Sequence, residues 1–313
     1  MKTLILLILT PLVLVSTLAG QAWQPVQHGI VDNITGIDFV DADNGFLCTH
    51  GGQVGITRNG GTVWQTVTVD PGVPLEDISF ANDLMGLVCG RDGALYRTIT
   101  GGRRWEDHSM ENSTPWLLSV EMADTLFAVA VGMTREEERP MAGLSLVSAD
   151  GGQNWRRQES MGLGYGELFH AGNGPIYFQS FSRLHMSRDG GQTWRTINTI
   201  EGRPGRVTAI AGRTGILAGA GGLIAYSHDN GKTWQQAEVE EPHIFTSLVM
   251  LNSDTGWVAG HDGIIMRTED GGVSWTREEL PDGLSFDIYD MARAGNQLIA
   301  VGTNGVMIRR DIN

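Results

Sequence analysis

Thr268-Glu269-Asp270-Gly271-Gly272-Val273-Ser274-Trp275 decides the fold. The Asp can accept hydrogen bonds from backbone N–H groups of its own turn. Glycine supplies the positive φ such a turn needs. The Trp is placed to pack over it. The motif reads Ser/Thr-x-Asp-x-Gly-x-Thr-Trp, and it recurs. Copies end at Trp64, Trp105, Trp155, Trp194 and Trp234, with Asn59, Thr100, Asp150, Asp189 and Asp229 at the Asp position. Asn59 and Thr100 lack the charge, so those two turns are expected to be weaker. Asn59, Asp150, Asp189, Asp229, Asp270 and the six Trp residues are read as structural.

With Trp23 the tryptophans are spaced 41, 41, 50, 39, 40 and 41 residues apart. One unit is clearest from Thr246 to Glu278. Its strands are Thr246 to Leu251, Gly256 to Gly260, Gly263 to Thr268 and Ser274 to Glu278. Four strands of about five residues in about 40 are the arithmetic of a propeller blade. Seven units begin near Thr35, Glu76, Leu117, Gly166, Val207, Phe245 and Phe286. The last stops after Arg309 without a fourth strand, whereas Trp23-Gln24-Pro25-Val26 has no turn before it. The expected fold is all-β, a single seven-bladed propeller over residues 21–313. Trp23 to Gln27 would complete the last blade, removing the open edge of the ring.

Composition agrees. The chain has 43 glycines among 313 residues, about twice the ordinary ~7%. With 41% hydrophobic residues it can bury a core. The net charge of −14 repels phosphate backbones, so nucleic acid is not expected as a partner. Lys2 and Lys232 are the only lysines.

Met1-Lys2-Thr3, an apolar run from Leu4 to Leu18 and small residues at Ala19, Gly20 and Ala22 have the pattern of a secretory signal over residues 1–20. The expected localisation is exported, periplasmic or secreted, with an envelope or membrane complex as a conceivable partner. A monomer is expected. Cys48 and Cys89 lie one repeat apart, at positions matching Ala130, Ala218, Ala259 and Ala300. They are expected to be free, buried thiols, since matching positions on adjacent blades exceed the ~7 Å limit for a disulfide.

The repeat resembles the Asp-box propellers (bacterial neuraminidase repeats). The fuller unit, Gly256-Trp257-Val258-Ala259-Gly260 followed by the Asp turn, is similar to the photosystem II stability/assembly-factor propellers. That resemblance covers the mature chain. It implies a non-catalytic scaffold binding a protein partner. In photosynthetic members it implies a helper in assembling a reaction-centre complex.

The Asp turns join strands 3 and 4 on one rim. The opposite rim gathers the strand 2–3 turns and the blade connections, where function is expected. Binding candidates there are His50, Arg91, Asp92, His261 and Asp262 on turns, with Tyr165, Arg203, Arg206, His243 and Asp287 on connections. Glu76, Asp77, Trp116 and Glu167 lie on the same rim. The third unit carries an insertion over residues 134–142, which adds Arg135, Glu136, Glu137 and Arg139. The competing reading is carbohydrate-active, a sialidase-like or glycoside-hydrolase propeller, or glycan-binding. Asp77, Asp262 and Asp287 would be its carboxylates. The early Arg-Ile-Pro segment of sialidases is absent, so the reading leans away from an enzyme. No cofactor and no metal site are expected. The histidines lack ligand spacing, and Asp41 to Gly45 lacks the rest of a calcium loop.

Overall fold

In the computed structural model the described residues are 22–110, 115–136, 139–158, 166–170, 174–180, 183–199, 205–239 and 242–312, without the side chains of 135–142, 197–199 and 205. The proposed signal segment, Glu137, Tyr165 and Arg203 lie outside them. So do the side chains of Arg135, Glu136 and Arg139.

Each repeat folds into one antiparallel four-stranded sheet, and seven such sheets are present among the described residues. The innermost strands are Ile34–Phe39, Leu75–Phe80, Trp116–Met122, Gly166–His170, Gly205–Ala211, Phe245–Met250 and Ile288–Ala294. They surround a central channel. The second strands Gly86–Gly90 and Gly256–Gly260 are buried at every position. Neighbouring blades cover both their faces, so they read as apolar runs, not alternations. The outermost strands are short and polar, such as Glu106–Asp107, Gln235–Gln236 and Thr276–Arg277. Short charged edges resist pairing with other chains.

The apolar cores lie between blades. Phe46, Cys48, Val54 and Ile56 of blade 1 pack on Leu75, Ile78, Phe80 and Val88 of blade 2. Ile34, Ile37 and Leu47 of blade 1 pack on Ile299, Val301 and Met307 of blade 7. Closure is as read from the repeat: Gln24–Pro25 pairs antiparallel with Met307–Asp311, Gln24 opposite Arg309. Cys48 and Cys89 are buried free thiols, and Ala130, Ala218, Ala259 and Ala300 are fully buried.

The Asp turns follow the reading closely. In blade 3 Asp150 Oδ1 accepts from the Asn154 N–H at 2.9 Å and from Ser148 Oγ at 2.8 Å, and the Trp155 indole donates to the Gly152 carbonyl at 3.0 Å. In blade 1 Asn59 Oδ1 keeps the bond to the Val63 N–H at 2.9 Å. In blade 2 Thr100 Oγ1 accepts from the Arg104 N–H at 2.9 Å. The two variant turns therefore keep the backbone bond but lack the charge and the second carboxylate oxygen, which in blade 3 accepts from the Asn154 side-chain amide at 2.7 Å.

The insertion is not an irregular loop. It lengthens the second and third strands of blade 3 to Ala128–Glu136 and Arg139–Ser148, pairing Thr134 with Ala142 and Glu136 with Arg139. The described added residues pair across these two strands on the rim away from the Asp turns.

Candidate functional site

Six of the seven inner strands begin with a register shift. It falls between Ile34 and Gly36, Leu75 and Asp77, Leu117 and Ser119, Gly205 and Val207, Phe245 and Ser247, and Ile288 and Asp290. The strand register skips one residue in each: Thr35, Glu76, Leu118, Arg206, Thr246 and Tyr289. A bulge puts two residues opposite one and re-aims a side chain. All six skipped residues line one cavity of about 300 Å³ at the mouth of the channel. Glycines of the second strands admit these bulges. A Cβ at Gly90, Gly132, Gly260 or Gly302 would overlap the backbone carbonyl of Pro74, Trp116, Ile244 or Asp287.

Blade 4 has no such shift and contributes Gly166 and Glu167. Trp116, His50, Arg91, His261, Asp77 and Asp290 complete the lining, so every blade supplies part of the wall. The cavity lies on the rim opposite the Asp turns. His50, Arg91 and His261 reach it from strand 2–3 turns.

The charges in the mouth are arranged. Glu76 accepts from Arg91 Nε at 3.0 Å and from the Trp116 indole at 2.9 Å, with His50 Nε2 3.7 Å away. The Arg91 guanidinium lies over the Trp116 ring, 4.4 Å from its centre. Burial opposes charge on Glu76, but its bonds from His50 and Arg91 prevail and hold its pKa below the usual value.

Deeper carboxylates join blade to blade. Asp290 accepts from the Ile37 N–H at 3.0 Å, Asp38 from Phe80 at 2.7 Å and Asp77 from Val120 at 2.9 Å. Ser119 Oγ donates to Asp77 at 2.8 Å and accepts from the Leu168 N–H at 3.1 Å, spanning blades 2 to 4. Burial, with mutual repulsion adding to it, pushes Asp38 and Asp77 up to about 6 and Asp290 up to about 7. Glu121 and Glu167 are driven well above the ordinary carboxylate range for the same reasons.

Of the rim candidates read from the repeat, His50, Arg91, Arg206 and His261 meet in this cavity. Asp92 and Asp262 do not. They occupy the left-handed positions of their turns, φ 55° and 58°, and are exposed at the tips. Asp287 accepts from the Asp262 N–H at 2.9 Å and lies 3.8 Å from His261 Nδ1, outside the cavity. His243 lines a separate cleft with Gln236 and Trp275. Asp77, Asp262 and Asp287 thus do not share one cavity, as paired hydrolytic carboxylates would. Among the described residues no group of three or more His, Cys, Asp or Glu side chains could hold a metal ion. Thr246 and Asp290 were missed, and Tyr289 was not among the binding candidates. Thr246 and Tyr289 are skipped by the strand pairing, which only register reveals, and Asp290 directly follows one of them.

A family model described as photosynthesis system II assembly factor YCF48 matches residues 15–155 and 207–310. The chain belongs to this family. Its fold matches solved YCF48 structures. One, described as YCF48 bound to D1 peptide, is 20% identical with a TM-score of 0.72, covering 93% of this chain and 97% of that one. Another, YCF48 from Cyanidioschyzon merolae, is 17% identical with a TM-score of 0.70, covering 93% and 98%. The WD40 propeller domain of Doa1 is 14% identical with a TM-score of 0.65, covering 92% and 96%. No curated protein matches the chain by sequence.

Proposed function

We propose that this chain is an exported, non-catalytic scaffold of the YCF48 family that docks a protein partner on the rim opposite the Asp turns. The carrying observation is the channel mouth, to which all seven blades contribute and at which six inner-strand bulges converge. Nothing in the Asp-turn geometry calls for such bulges. A relative solved with a D1 peptide supports a polypeptide as the occupant class. The apolar run after Lys2 supports export.

The test is capture of partners from native envelope extract with the wild-type chain, with Trp116→Ala and with Tyr289→Ala. Both substitutions are expected to abolish recovery while the Asp-turn variant Asp189→Asn retains it. Equal recovery by all three would overturn the assignment of the rim. Deletion of residues 134–142 measures whether the lengthened strands of blade 3 share the contact. N-terminal sequencing of the protein recovered from the envelope tests export.

A further inference from the structure

The mouth holds more acidic than basic side chains, and one of the acids makes no hydrogen bond within the fold. Glu76, Asp77, Glu167 and Asp290 line it against Arg91 and Arg206. Arg91 is committed to Glu76 and to the face of Trp116. Asp77 and Asp290 accept backbone N–H groups of neighbouring blades. Glu167 differs. No hydrogen bond reaches its carboxylate among the described residues, and it faces Asp77, Asp290 and Glu121, with the Arg206 guanidinium as counter-charge.

A partly buried carboxylate without a hydrogen bond costs stability. A glutamine there would avoid the cost. Groups of this kind are retained where a ligand completes them. The aromatic walls fit a cation as well, because the faces of Trp and Tyr rings attract positive charge. The whole chain adds to the field with its net charge of −14, which draws basic partners toward it.

We propose that the funnel takes a basic segment of a protein partner, with an arginine or lysine side chain inserted beside Trp116 and Tyr289 onto Glu167. This rests on the docking assignment above and names the chemistry of the docked segment. The inserted cation supplies the hydrogen bonds that Glu167 lacks.

Calorimetric titration of the purified chain tests it, using Gly/Ser peptides of one length that carry arginines, glutamates or neither. The arginine peptide is expected to bind at least about tenfold more tightly than the glutamate peptide, with affinity falling as salt screens the pair. Glu167→Gln is expected to lose about tenfold in affinity for the arginine peptide and to melt no lower than wild type, because the amide replaces a carboxyl group that makes no hydrogen bond within the fold. Asp290→Asn provides a second variant with the same expected loss of affinity. Glu269→Gln, on the Asp-turn rim, is expected to bind as wild type does.

Tighter binding of the glutamate peptide, or equal binding of the arginine peptide to wild type and Glu167→Gln, would overturn the proposal. If Trp116→Ala loses the native partner while the arginine peptide fails to bind, the docking rim stands and its basic specificity falls. If Trp116→Ala keeps the partner, the docking assignment itself falls.

Discussion

The Trp23 indole donates to Glu278 Oε2 at 2.7 Å, joining residues 255 positions apart. Trp23 precedes the strand that closes blade 7, and Glu278 follows the outer strand of blade 6. Glu278 also accepts from the Trp257 indole at 3.2 Å and pairs with Arg310, whose guanidinium lies near both rings. Arg310 and Glu278 side chains are only 5% and 13% exposed. Their charges are therefore tied to each other and to the indoles, and they fix the point where the ring shuts.

Removing one partner of that cluster strands the other. Glu278→Ala is expected to cost about 3–5 kcal/mol, the usual penalty for an unpaired buried charge. Trp23→Phe keeps the ring and loses the indole bond, for about 1–3 kcal/mol. Urea unfolding of both variants measures the difference. A cost for Glu278→Ala no greater than that of an exposed carboxylate such as Glu269 would show that the closure does not depend on this cluster.

Stability is expected to fall as pH rises from about 4 to 7. Asp38 and Asp77 titrate at about 6 and Asp290 at about 7 in the folded chain, raised above their unfolded values by burial. The folded state then holds more protons than the unfolded state in this window, so stability decreases with pH. Each pK unit of displacement corresponds to about 1.4 kcal/mol per group. The Asp turns act in the opposite sense at lower pH. The Asn154 side chain and N–H bonds hold Asp150 down to about 2, so its contribution is lost as pH falls below 4. Maximum stability is expected near pH 4 from these two groups of carboxylates. Denaturant melts across pH, repeated on Asp290→Asn, should show a flatter decline for the variant.

Gly302→Ala is expected to disturb the channel mouth from outside it. The added Cβ meets the Asp287 carbonyl oxygen, which must move and carry the bulged Tyr289 with it. Overpacking of this kind costs about 1–3 kcal/mol. Partner recovery should drop in a variant that touches no lining side chain. Unchanged recovery would separate the bulge from the site.

Restoring charge to the first Asp turn should stabilise the chain. Asn59→Asp keeps the bond to the Val63 N–H and makes it charge-assisted, worth a few tenths to about 1 kcal/mol. Asp150→Ala removes the acceptor and should cost about 0.5–2 kcal/mol, as loss of a helix cap does. Thermal melts of the two variants should move in opposite directions.

Cys48 and Cys89 should be silent to a thiol reagent in the native chain and both react after denaturation. Burial pushes both thiols well above their ordinary pKa, suppressing the thiolate. A fast native reaction at Cys48 would contradict the packing between blades 1 and 2, and one at Cys89 the packing between blades 2 and 3.

The number of blades, their four-stranded plan, the closing role of Trp23 to Gln27 and the gathering of the Asp turns on one rim were all legible in the repeat. Those features follow from local chemistry. An Asp turn carries its own hydrogen bonds, and its spacing counts the strands between turns. His50, Arg91 and His261 could be placed because they stand on turns between counted strands. Asp92 and Asp262 went astray because a turn needs a left-handed residue at its tip, and that need points the side chain outward. Which residues face the channel mouth was decided by tertiary structure. Side chains alternate faces along a strand, and a single bulged residue breaks that alternation. Tyr289 and Asp290 are adjacent in sequence yet both line the mouth, because the strand pairing skips Tyr289. That skip depends on Gly302 lying against the carbonyl of Asp287, a contact between two strands that no local pattern in either one records.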